Sequence, residues 1–147
     1  MNHAAADMYR TQDVLTASPA RLVAKLYARA IQSLHEAVRA IEAGDIEGRW
    51  RANQRAIEIV DHLLATLDDD RGGEVAENLK RLYLFILCHL AKVDVHNDAK
   101  AAHDVIALLQ PLHDSWRKLA EGHGDEAAGP DTGAVSETVP TGVSATA

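Results

Sequence analysis

With one cysteine, one phenylalanine and four prolines among 147 residues, the chain lacks the raw material of several protein classes. A lone Cys88 supports neither a disulfide framework nor a cysteine-based zinc site. Set among Ile86, Leu87 and Leu90 in a helical pattern, it is expected to be a core thiol. Aromatic residues make up only 4% of the chain, so any core must be built mainly from aliphatic side chains. No run approaches the roughly 18 uninterrupted apolar residues of a membrane span. Met1 to Arg10 also lack the apolar stretch of a secretory signal, which points to a cytoplasmic protein without membrane insertion. Basic charge is scarce as well. Four acids, Asp125, Glu126, Asp131 and Glu137, lie in residues 122–147, which hold no Lys or Arg, so the formal charge of −7 becomes −3 over residues 1–121. A mildly acidic body is a poor match for nucleic acid, whose phosphates call for a clustered basic face.

What remains is a chain that is 47% hydrophobic, with helical spacing and clear punctuation. Residues 1–17 carry little periodicity and read as a mobile leader, while 122–147, built from Gly, Ala, Thr, Ser, Pro and Asp, read as a disordered tail. Between them, residues 18–121 contain four amphipathic segments and no alternating strand pattern. Ser18-Pro19 opens the first, whose apolar face runs through Leu22, Leu26, Tyr27, Ile31, Leu34 and Val38 to a stop at Gly44. Asp45 caps the second, with Trp50, Ile57, Val60, Leu63, Leu64 and Leu67 as its stripe. The third begins at Glu74 after the break at Gly72-Gly73. Asn97-Asp98 ends it and caps the fourth, which Gly122 closes and in which Pro111 is expected to make a kink. Four such helices joined by short loops pack most simply as an antiparallel four-helix bundle, an all-α fold.

Little catalytic chemistry is legible. Eight histidines invite a metal reading, yet no Glu-x-x-His pair occurs, and Asn97-Asp98 breaks the frame between His96 and His103. No metal, cofactor or enzyme activity is therefore expected. His89-Leu90-Ala91-Lys92 is similar to the His-x-x-Lys of histidine phosphotransfer bundles, which gives the alternative of a helical signalling module using His89, although Val93 stands where those domains usually place Gly. Arg21, Lys25 and Arg29 recur every four residues, as a solvated flank or as a ridge facing an acidic partner.

The order of motifs is more specific than any one of them. Tyr9 is followed by Leu15-Thr16-Ala17-Ser18-Pro19, then Leu22-Val23 and Leu26-Tyr27, then Ala43-Gly44-Asp45-Ile46 and Leu64-Ala65-Thr66-Leu67-Asp68. Gly72 to Leu79, Leu82-Tyr83, Asn97-Asp98, Val105 to Leu109 and Asp114-Ser115-Trp116 continue the series. Over about residues 8–120 this resembles the FliS family of flagellar export chaperones, departing from it at Ala28, Arg29 and Asp94. The resemblance implies a cytosolic chaperone that binds the C-terminal segment of flagellin, prevents premature polymerisation and assists type III flagellar secretion. It further implies the export-gate protein FlhA as a possible second partner and a possible homodimer. The groove residues it implies are Ile57, Val60, Leu64, Leu79, Leu82, Tyr83 and Leu87, with Trp116 at the far end. Tyr9 is implied as a self-occluding leader residue that occupies the groove until flagellin arrives.

Overall fold

A computed structural model describes residues 19–125; residues 1–18, with Tyr9, and 126–147 lie outside them. The described residues form four helices and no strand: α1 (Pro19–Glu42), α2 (Ile46–Ala65), α3 (Asp69–His96) and α4 (Ala99–Asp125). Each junction is built by side chains suited to it. Gly44 sits at φ 71°, the left-handed conformation that ends a helix cheaply only without a Cβ. The Asp45 amide then donates to the Ala40 carbonyl at 2.8 Å and the Gly44 amide to Ile41 at 3.1 Å, satisfying carbonyls that α1 would otherwise leave bare. Asp45 goes on to cap α2, its carboxylate accepting from the Gly48 amide at 2.9 Å.

Asp68 caps α3 in the same way, accepting from the amides of Asp70 and Arg71. The first turn of α3 is separated from the rest by Gly73 at φ 54°, ψ −128°, a backbone state available at little cost only to glycine. The regular helix thus starts at Glu74, as the sequence indicates. At the other end Asn97 takes a left-handed conformation, and Asp98 accepts from the Ala101 amide at 3.0 Å to open α4. One expectation for α4 changes. The helix continues through Pro111, which it contains, and runs past the expected stop at Gly122 to Asp125. Pro111 is exposed, as is Ala107, whose carbonyl loses its partner, so water can replace the missing amide. Gly122 near a helix end costs only about 1 kcal/mol relative to Ala and does not stop the chain.

The helices form a ring in which α1 packs on α2 and α4, and α3 packs on α2 and α4. Side-chain pairs fix the antiparallel directions: Glu36 meets Arg55 across α1–α2, Asn53 meets Asp94 across α2–α3, and His89 meets Asp104 across α3–α4. α1 turns Ala20, Ala24, Ala30 and Ala37 inward, small residues that let the backbones approach closely. Leu34, Ile86, Leu90, Leu109 and Val105 fill the centre and are fully buried, each contributing roughly 1.5 to 3 kcal/mol. Cys88, expected inside, is exposed instead. It lies on the far side of α3 from Ile86 and Leu90, because two residues along a helix amount to a rotation of about 200°.

A buried tyrosine pair crosses the ring. The hydroxyls of Tyr27 on α1 and Tyr83 on α3 lie 2.5 Å apart. Desolvation pushes Tyr83 up to about 12 and Tyr27 well above its ordinary value. Both groups are neutral below pH 10 in the folded and unfolded chain alike, but between 10 and 12 the unfolded phenols ionise first. Stability is therefore expected to be retained up to pH 10 and to fall as the pH rises towards 12. Thermal melts of the Tyr27→Phe/Tyr83→Phe double variant should lose less over that range than the parent; an unchanged slope would exclude the pair as its source.

Candidate functional site

Among the described residues, the exposed large apolar side chains are confined to α2 and α3. Ile46 is 66% exposed, Trp50 51%, Leu84 46%, Phe85 53% and Val95 73%. Helical geometry groups most of them. On α2, Arg49 and Asn53 reach α3, and Ile46, Trp50, Ile57 and Leu64 follow on the same edge, turned slightly outward. On α3, Asp94 meets α2, and Leu87, Leu84, Ala91 and Val95 continue outward from that contact. The two edges flank one seam, so an apolar strip runs along α2–α3 with no further helix of the described residues over it. Phe85 lies on the other shoulder of α3 with Leu82, stacked on His89 with ring centroids 5.2 Å apart.

The groove residues expected from the sequence divide into two sets. Ile57, Leu64, Leu82, Leu87 and Trp116 are half-buried, at the margins of the core. Val60, Leu79 and Tyr83 are 0%, 5% and 2% exposed and belong to the core. In this conformation they line no surface, since Val60 and Leu79 face the bundle axis and Tyr83 is tied to Tyr27 across it. Trp116 is held with its Nε1 buried and without a hydrogen-bond partner. The residues that do face outward are Ile46, Trp50, Leu84, Phe85 and Val95, none of which the sequence pattern marks as a site residue, and Trp50, expected in the α2 stripe, lies outside the core. A signal for them existed: Leu84, Cys88, Ala91 and Val95 repeat at spacings of four, three and four on the face opposite the core.

A polar cluster holds one end of the seam. Arg49, 8% exposed, donates from Nη1 to Asn97 Oδ1 at 2.7 Å, and its Nε lies 3.3 Å from Asp94 Oδ1. Asn53, fully buried, donates from its amide to the Leu90 carbonyl at 3.0 Å and to Asp94 Oδ2 at 2.9 Å. A buried guanidinium requires such partners, because desolvation would otherwise make the position untenable. The cluster fixes the register of α2 on α3 and thereby the alignment of the two apolar edges.

His89 does not have the surroundings of a phosphate carrier. Its side chain is 15% exposed, its Nε2 lies 3.1 Å from Asp104 Oδ2, and Phe85 covers the ring. Lys100 binds the same carboxylate, and hydrogen bonds from His89 and Lys100 hold the Asp104 carboxyl below its usual value. A carboxylate at the reactive nitrogen both blocks attack and repels a phosphodonor. Among the described residues no group of three or more His, Cys, Asp or Glu side chains is placed to hold a metal ion.

Comparison with known proteins matches residues 1–123 to the family model "Flagellar protein FliS". The flagellar secretion chaperone FliS of Salmonella typhimurium is 35% identical over 108 residues, 73% of this chain and 80% of that protein. The flagellar secretion chaperone FliSB of Pseudomonas aeruginosa is 34% identical over 103 residues, 70% of this chain and 82% of that protein. A FliS from Vibrio cholerae is 29% identical over 103 residues, covering 70% and 76%.

Proposed function

The chain belongs to the FliS family of flagellar secretion chaperones, and we propose that it holds the C-terminal segment of flagellin unassembled in the cytosol through the α2–α3 seam. The observation that carries this reading is the apolar strip with Ile46, Trp50, Leu84 and Val95 exposed and Ile57, Leu64 and Leu87 half-buried beneath them. A disordered export substrate brings apolar side chains that need cover, and a strip between two helices receives them as anchors. Ordering such a segment costs about 2 to 5 kcal/mol, which keeps the complex releasable when the substrate is handed to the export machinery. The role requires no covalent step, and the chain acts as a binder rather than an enzyme.

Co-purification tests the reading directly. Intact flagellin is expected to form a stable complex and flagellin lacking its last few tens of residues is not; retention of the truncated form would remove the C-terminal segment as the client. The division into leader, bundle and tail extends the proposal, with Tyr9 covering the groove in the absence of client. A chain beginning at Thr16 should then bind flagellin more tightly than the full chain, by titration calorimetry. Equal affinity would leave Tyr9 without that role. The gate protein FlhA is a second partner on this reading. A further copy of the chain is the occupant expected at high concentration, when the strip is otherwise bare.

A further inference from the structure

We infer that the cleft between α1 and α4 is a docking site for an acidic peptide segment of a partner protein, separate from the apolar seam. The cleft, about 340 Å³ in volume, lies across the ring from α2–α3. Ala28 and Ile31 are its apolar lining, joined by Gln32, His35 and Arg39 from α1 and by Gln110 and His113 from α4. No lining residue is acidic. Arg39 and His35 are exposed, and neither forms an ion pair among the described residues.

Two of the neighbouring acids, Glu36 and Asp114, are already engaged, while Glu42 is exposed at the end of α1. Glu36 holds Arg55 at 2.7 Å and takes only a long 3.4 Å contact from Gln32. Asp114 takes a contact of the same length from Gln110 and lies 3.6 Å from His113 Nδ1. Both amides are thus held at the limit of hydrogen bonding and can be exchanged for a peptide backbone. His113 Nδ1 is sealed without a hydrogen-bond partner, so the edge of that ring open to the cleft is the Nε2 side. An uncompensated guanidinium is suited to a carboxylate, which it grips through two parallel bonds. An apolar lining flanked by donors from both helices fits an extended chain whose acidic side chains meet Arg39 and whose main chain meets Gln32 and Gln110.

The test uses the full chain and a fluorescein-labelled peptide of about ten residues in which Asp and Glu alternate with Ala and Leu. Its counterpart carries Asn and Gln at the acidic positions. Fluorescence anisotropy should show binding of the acidic peptide and not of its counterpart, weakening as salt is added. Arg39→Glu, at an exposed position that folding does not need, should weaken it about tenfold or more, with an unchanged melting temperature. His113→Gln should weaken it less, and Trp50→Ser should leave it unchanged. Equal binding of the two peptides, an Arg39→Glu affinity equal to the parent's, or loss of binding in Trp50→Ser would each overturn the assignment. Because Trp50 belongs to the other seam, this outcome is separable from failure of flagellin binding.

Discussion

Asp94→Ala is expected to destabilise the protein by about 3 kcal/mol, the largest loss foreseen for a single substitution near its surface. Asp94 places Oδ1 3.3 Å from Arg49 Nε, an ion pair without hydrogen-bond geometry, and accepts from Asn53 through Oδ2. Its removal strands a guanidinium whose side chain is 10% exposed and strips the fully buried Asn53 of one of its two acceptors. Uncompensated buried charges cost about 3 to 5 kcal/mol, and the lower end applies because Asp94 is itself 21% exposed and Arg49 keeps Asn97. For a domain of this size the melting temperature should fall by about 10 °C. Replacing the pair together, as Arg49→Met with Asp94→Leu, removes both charges and should recover most of the loss. A thermal melt of the three variants decides the matter: a double variant as unstable as Asp94→Ala would mean that the carboxylate acts through Asn53 alone.

Trp50→Ser combined with Leu84→Ser should weaken flagellin binding by at least about a hundredfold while changing stability little. Trp50 and Leu84 are 51% and 46% exposed, so their truncation removes little from the folded core. In a complex, by contrast, large apolar anchors are worth about 2 kcal/mol or more each when covered. The contrast with a core change is diagnostic. Leu34→Ala, at a fully buried position, should cost about 2 to 5 kcal/mol of stability and reduce binding only by unfolding the chain. Titration calorimetry beside a melting curve separates the two. Undiminished affinity in the Trp50/Leu84 variant would remove the α2–α3 seam from the binding site.

Where the chain carries explicit punctuation, the sequence was easily read. Gly44, Asp45, Asp68, Gly73 and Asn97-Asp98 each do in the structure what their chemistry allows, so the helix order and most of the boundaries followed from the residues alone. The stripes of α1 and α3 were legible for a similar reason, since large apolar residues recur there every three or four positions. α2 was harder. Its inward face is Arg49, Ala52, Asn53, Ala56, Val60 and Leu63, and four of those six are polar or very small. The bulkier Trp50, Ile57 and Leu64 stand about a quarter of a turn away and drew the apparent stripe towards them. Only the partners on α3, Asp94, Asn97 and the Leu90 carbonyl, make an inward arginine and asparagine acceptable, and such long-range pairings have no local signature. Cys88 and Phe85 were misplaced or overlooked for the opposite reason, as apolar residues beside a genuine core stripe give no local sign of facing outward.

The outward placement of Cys88 has a practical corollary. It is the chain's sole thiol and lies on the same face of α3 as Leu84, Ala91 and Val95. A maleimide dye or nitroxide therefore attaches at one address without prior mutagenesis, beside the strip where the client is proposed to settle. Its emission or spin mobility would then follow substrate capture and handover in real time.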